Sequence, residues 1–318
     1  MIHKPVMTKE VLEILAPKPG DFMIDGTLGG GGHARLLLDA LGPAGKLLVV
    51  DEDGQAIADF NKLNDQRVIA ARDNFANLSK ILESFNLGLA DGLMLDLGLS
   101  SDEIESSGRG FTFQKDEPLL MTLRDESVPV KVLLRELKEE ELADIIYEFG
   151  DERYSRRIAQ EIKKTLKQKN IETTFDLRDA ILRAVPKSYE RGRINPATRA
   201  FLALRIYANH EFENLSSLLN ILDKIVKPGG RVAVITFHSN EDRIVKNIFR
   251  DLSKAGRVSL INKKVITPDG NELAENPRAR SAKLRAIAMR DLGSAASDKR
   301  TAMLLSAYES FGSVIKRF

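Results

Sequence analysis

The residues best suited to chemistry stand in loops that follow short apolar runs. The densest is Asp25-Gly26-Thr27-Leu28-Gly29-Gly30-Gly31-Gly32-His33. Four successive glycines between a strand-like and a helix-like run let the backbone approach a ligand closely and offer amides at a helix N-terminus. Two cofactors compete for such a loop. Gly29-x-Gly31-x-x-Ala34, with Asp51 about twenty residues further on, satisfies the dinucleotide fingerprint. Asp25, just before the loop, would repel a pyrophosphate but attract the sulfonium and ammonium groups of S-adenosylmethionine. Charge therefore favours S-adenosylmethionine, and an NAD-binding oxidoreductase stays open on pattern alone. Asp51 suits the ribose hydroxyls of either cofactor, and Phe75 is placed to lie against an adenine ring.

A second cluster, Asp96-Leu97-Gly98-Leu99-Ser100-Ser101, puts an acid and two hydroxyls after another apolar run, where open α/β sheets bind ligands. An acid there can accept from an exocyclic NH₂ and aim its nitrogen lone pair at a methyl group. His238, after a later apolar run, could with Phe237 stack on or bond a splayed-out base. Arg109, Phe111 and Phe113 form a basic-aromatic group suited to RNA. The four histidines show no ligand spacing, so no metal site is expected. Arg183 to Arg205 holds six basic residues against one acid, and Arg278 to Arg290 holds five against none, which makes both candidate phosphate contacts.

Positioning these groups requires a regular framework. Strand-like runs at 22–26, 46–51, 67–71 and 91–98 alternate with helical patterns at 32–41, 53–63 and 75–86, which predicts a parallel, doubly covered sheet. Residues 104–196 are helical in pattern and predict an inserted all-helical domain. A long helix is expected from Ala197 to Lys227, closed by Pro228-Gly229-Gly230, then a strand at 231–237, a helix at 241–252, and strands near 258–266 and 284–290. Residues 1–103 and 197–290 would form the sheet domain, and 291–318 a C-terminal extension with a helix near 301–315. The length of 318 residues suits this division. The first twenty residues carry no signal-peptide core and no window approaches the ~18 apolar residues of a membrane span, so a cytoplasmic protein without a membrane partner is expected. Net charge is +2 and Cys is absent, which removes disulfides, thiolate metal sites and a cysteine nucleophile.

Six ordered motifs make the reading specific: Asp25-Gly26-Thr27 with Gly31-Gly32-His33, Asp96 to Ser101, Arg109-Gly110-Phe111-Thr112-Phe113, Asn195-Pro196-Ala197-Thr198-Arg199, Phe237-His238-Ser239 with Glu241-Asp242-Arg243, and Asn276-Pro277-Arg278-Ala279-Arg280-Ser281. In order and spacing they resemble the bacterial 16S rRNA cytosine N4-methyltransferases, the MraW/RsmH family. The resemblance runs from His3 to about residue 290.

It implies a class I S-adenosylmethionine-dependent methyltransferase with a Rossmann-like sheet and an inserted helical domain. The activity implied is N4-methylation of a cytidine in the decoding region, with 16S rRNA or the small ribosomal subunit as partner; a homodimer is compatible with it. Its cofactor contacts fall on Gly31, Gly32, His33, Asp51, Phe75 and Asp96. A further contact, a Gln in the family, corresponds to Glu103 here. Asn195, Arg199, Arg278 and Arg280 join Ser100, Ser101 and the Arg109 group on the RNA side. This chain departs from the pattern at Glu117 to Arg124, where an Asp and an Arg of the family are lost, and at Asn240, where Leu is usual. The missing cysteine points to the same atom: C5 methylation of cytosine generally needs a thiolate, whereas N4 needs only an acceptor and good aim. An amino-methyltransferase of another nucleic acid and a non-catalytic ribosome-assembly factor are the remaining alternatives.

Overall fold

The computed structural model describes residues 5–99, 104, 107–189 and 195–291. Ser100, Ser101 and Glu103, residues 190–194 of the first basic stretch, and the tail helix expected near 301–315 lie outside the described residues. Seven strands form one sheet: β1 (Phe22–Asp25), β2 (Lys46–Asp51), β3 (Val68–Arg72), β4 (Ala90–Asp96), β5 (Val226–Thr236), β6 (Val258–Leu260) and β7 (Lys283–Met289). Their order is β3-β2-β1-β4-β5-β7-β6. The first five are parallel, as their unbroken apolar runs require, since a strand covered on both faces has no solvent side to mark with polar residues. The sheet is nevertheless mixed: β7 runs antiparallel to both β5 and β6. A strand's apolar pattern does not carry its direction, so the antiparallel pairing at this edge is set by the tertiary structure.

The expected helices α2 (Gly32–Ala40) and α3 (Gly54–Asn61) cross between these strands. The third crossover opens as a tight 3-10 turn, Phe75–Asn77, whose Ala76 amide is capped by the Asn74 side chain, before α4 (Leu78–Ser84). A further helix, α1 (Thr8–Leu15), precedes the sheet and was not anticipated. The two sheet faces bury separate cores, one around Leu48, Val50, Leu93, Leu95 and Phe249, the other around Met23, Leu37, Leu47, Val49 and Met94. Alternate residues of one strand thus serve opposite faces.

Between β4 and β5 the described residues hold the helices α5 (Val130–Glu136), α6 (Glu139–Gly150), α7 (Ser155–Leu166) and α8 (Thr174–Ala184). They share a third core with α9 (Ala197–Ala208), through Ala197, Ala200, Phe201 and Leu204. Gly150 permits this docking, for a Cβ there would come within 2.5 Å of the Arg199 carbonyl oxygen.

The long helix expected from Ala197 to Lys227 does not exist as one element. It stops at Ala208, turns through His210 in the left-handed region at φ 52°, and resumes as α10 (Glu211–Asn220). The Pro228-Gly229-Gly230 sequence lies inside β5 rather than after a helix. Gly229 takes φ +82°, and a Cβ on Gly230 would come within 2.8 Å of the Asp91 carbonyl oxygen, so the pair forms a register shift against β4. Two helices close the fold, α11 (Ser239–Lys254) and α12 (Gly270–Glu275).

Replacing Gly150 with Ala should force α6 away from α9 and destabilise the protein by about 1–3 kcal/mol, read as a lowered denaturant midpoint with an unchanged m-value.

Candidate active site

Strands β1, β2, β3 and β4 all end at one edge, and their following loops line a single cleft. Pro5, Thr27 to Gly30, Gly32, His33, Asp51, Glu52, Asp73 to Phe75 and Asp96 to Leu99 form one side. Leu123, Asn209, Glu211, Phe212, Asn214, Leu215, Phe237 and Glu241 form the other. The helix break at His210 aims Asn209, Glu211 and Phe212 into this space, which a continuous helix would not do. Reading 197–227 as one helix is why those three residues went unrecognised.

The glycine loop is fixed by Asp51. One carboxylate oxygen accepts from the Gly29 amide at 2.8 Å, and the other accepts from the Asp53 amide at 2.8 Å. Burial raises the Asp51 pKa above the ordinary carboxylate range, against the pull of those two amides. The glycines are also needed for packing: a Cβ on Gly31, at φ +73°, would strike the Phe60 ring at 2.7 Å, and one on Gly32 would strike Pro5 at 2.6 Å. Gly31 itself does not line the cleft, so its part in the loop is conformational.

Behind the loop three ionisable side chains are buried together. Asp25 is fully buried and does not line the cleft, so its charge acts at a distance and not by contact. Its Oδ1 accepts from the Thr27 amide at 3.1 Å, while Oδ2 has no partner. Burial, partly opposed by the His33 charge and the Thr27 hydrogen bond, pushes its pKa up to about 7. His33 Nε2 lies 3.5 Å from an oxygen of Asp96. Burial alone would lower the imidazole pKa, but the hydrogen bond and charge of Asp96, with the charges of Asp25 and Glu272, outweigh it and hold His33 above its ordinary value. The backbone of Asp96 is pinned by donation of its N–H to Thr27 Oγ1 at 2.6 Å. Asp96 lines the cleft, and its Oδ1 is buried without a partner. The positioning role of Thr27 arises from the pairing of β1 with β4, which the local sequence does not show.

The other expected site residues fall elsewhere. His238 does not line the cleft. Its Nδ1 accepts the Glu241 amide at 3.4 Å and its Nε2 lies 2.8 Å from Glu241 Oε1, so it caps α11. Burial would raise the Glu241 pKa, but His238 and Arg205 hold it below the usual range. Phe237 and Glu241 face the cleft in its stead. Arg109 donates to the carbonyls of Thr122 and Leu123 at 3.0 and 3.3 Å and pairs with Asp125 at 2.7 Å. Phe111 and Phe113 pack on the helical core, Phe113 edge-on to Phe201 at 5.2 Å. Arg199 donates to the Tyr189 hydroxyl at 2.8 Å beside the buried Glu152, and Asn195 accepts from the Ala197 amide at the start of α9. These five are built into the scaffold, whereas Arg278 and Arg280 are exposed on the turn Pro277–Ser281. Asn240 donates to the Glu148 and Phe149 carbonyls at 3.1 and 3.0 Å and stitches the end of α6 to the start of α11, which the usual Leu could not.

The model of the MraW methylase family matches residues 1–290. This chain belongs to that family. It is 42% identical over 305 residues to ribosomal RNA small subunit methyltransferase H of Syntrophotalea carbinolica, covering 90% of this chain and 97% of that protein. It is 43% identical over 288 residues to the protein of that name from Coprothermobacter proteolyticus, covering 89% and 94%. As a member of the MraW methylase family, a family of S-adenosylmethionine-dependent methyltransferases, it uses S-adenosylmethionine as donor, and the oxidoreductase alternative falls.

The cleft fits that donor. Its lining includes Asp51, Glu52, Asp73, Asp96, Glu211 and Glu241, and a buried Asp96 oxygen lacks a partner. A cation is favoured there and a pyrophosphate is not.

A carboxyl that protonates more easily when folded binds more protons in the native state, so its contribution to stability falls as pH rises from the ordinary carboxylate range to about 7, the value reached by Asp25. Asp25→Asn should therefore gain stability over the wild type across that interval, by up to about 1.4 kcal/mol per pH unit. Urea unfolding at several pH values measures it, and a constant difference would refute it.

Proposed function

We propose that this methylase transfers a methyl group from S-adenosylmethionine to N4 of a cytidine in the decoding, P-site region of 16S rRNA, acting in the cytoplasm. The observation that carries the reading is Asp96 Oδ1, a buried acceptor without a partner at the carboxyl end of β4, in the cleft of a methylase. The names of the relatives support small-subunit rRNA as the substrate. The absence of Cys supports N4 over C5, since C5 chemistry generally needs a thiolate addition.

The chain's own residues would act as follows. Asp51 holds the ribose hydroxyls through lone pairs left beside its two amide bonds, and Phe75 lies against the adenine. The donor supplies a methyl on a cationic sulfur, already a good leaving group. Asp96 accepts from the exocyclic NH₂ and turns its lone pair toward that methyl, which is catalysis by orientation. Thr27 fixes the Asp96 backbone and His33 fixes one carboxylate oxygen, leaving Oδ1 for the base. Asp96 or water would take the excess proton from the methylated nitrogen. Phe237 and Phe212, on the opposite wall, offer apolar surface to the base. The helical insertion, residues 104–196, would carry the RNA, with Arg278 and Arg280 as exposed cations for phosphates.

In a strain lacking this gene, mass spectrometry of 16S rRNA nucleosides should show loss of N4-methylated cytidine. The wild-type gene should restore it and Asp96→Ala should not, with turnover reduced at least a hundredfold. An unchanged nucleoside profile in the deletion strain would refute the reading, and restoration by Asp96→Ala would favour an assembly factor.

A further inference from the structure

The segment in which this chain departs from the family pattern makes a connection that no motif announced. Residues 121–125, within the insertion, reach the cleft at Leu123. Arg109 holds the segment through the Thr122 and Leu123 carbonyls. Asn209 holds it from the other side: its Oδ1 accepts from the Leu123 amide at 2.9 Å and its Nδ2 donates to the Met121 carbonyl at 2.8 Å. Met121 is turned into the left-handed region at φ 53°. The strap is thus prebuilt, and Leu123 lines the cleft.

The next residue, Arg124, crosses to the sheet. Its Nε donates to Glu52 Oε2 at 2.5 Å and its Nη2 to Asp73 Oδ1 at 2.9 Å. Glu52 directly follows Asp51, and Asp73 directly follows β3 and precedes Asn74 and Phe75; all of these line the cleft. Asn74 donates to the other Glu52 oxygen at 2.5 Å, and Asn77 donates to Asp73 at 2.9 Å. One guanidinium therefore ties together two acids that would otherwise repel each other beside the expected ribose and adenine positions. Its planar fork reaches both acids at once, which a lysine ammonium would do less well.

The geometry points to Arg124 as a positioning residue that latches the inserted helical unit over the adenosine end of the donor cleft and so sets how long S-adenosylmethionine stays bound. The inference rests on the proposal that adenosine lies beside Asp51 and Phe75. Because the pairs are partly exposed, salt weakens them. Coupling also runs both ways: whatever shifts the insertion alters donor retention, and donor binding favours the latched insertion.

The test uses the full chain and radiolabelled S-adenosylmethionine chased with excess unlabelled donor, with calorimetry for affinity. Arg124→Gln should release the donor about three- to tenfold faster at low salt. Wild-type release should quicken with salt toward the variant's rate, while the variant should respond little. Arg124→Lys should restore part of the slow release, and adding Asp73→Asn to Arg124→Gln should change little further. If Arg124→Gln fails to fold, Asp73→Asn breaks the same latch from the sheet side. Unchanged release and salt response in a folded variant would overturn the latch while leaving the donor reading intact. Failure of the wild type to bind S-adenosylmethionine would overturn both.

Discussion

The arrangement depends on a small buried group of charges, Asp25, His33 and Asp96, held behind a glycine loop. Buried carboxylates and imidazoles are costly unless they hold one another. Here the acids around the ring hold the His33 pKa above its ordinary value, while burial, partly opposed by His33, pushes that of Asp25 up to about 7. The result is an acceptor at Asp96 with one oxygen engaged and one free. Thr27 and the parallel pairing of β1 with β4 make the position of that oxygen a property of the sheet rather than of a loop.

The remaining structure serves this group from two directions. The sheet delivers Asp51, Asp73, Phe75 and Asp96 to one edge because parallel strands end together, and helical crossovers return the chain to the same starting side. The turn at Asn209, α10 and the turn after β5 deliver the opposite wall, to which the helical insertion adds Leu123. Its attachment is made of specific stitches: Asn240 to the end of α6, Asn209 to the strap at 121–123, and Arg124 to the two turns after β2 and β3. Two of these, Asn240 and Arg124, stand where the chain departs from the family's usual sequence. Both departures from the family pattern act as fastenings.

Several residues singled out for RNA act first in the scaffold. Arg109, Phe113, Arg199 and His238 have the types a nucleic-acid site would use, yet each is engaged by carbonyls, aromatic rings or a helix N-terminus. Their engagement still shapes the cleft. Arg109 sets the strap that presents Leu123, and His238 orders the turn that presents Phe237 and Glu241.

The sequence by itself determined the crossover sheet, its elements as far as β4, the helical insertion, the glycine loop and the acids at the strand ends. These follow from local properties: apolar runs of strand length, glycines where a side chain would clash, and acids placed just after strands. Only the tertiary structure decided the direction of β7, because an apolar run has no polarity. It also decided the break at His210, since the surrounding sequence is helical and the turn is stabilised by Asn209 reaching a segment 88 residues away. The burial of Asp25 and the ion pairs of Arg124, too, depend on residues distant in the chain. Local pattern therefore fixed the donor's side of the site, and long-range packing fixed the wall that faces it.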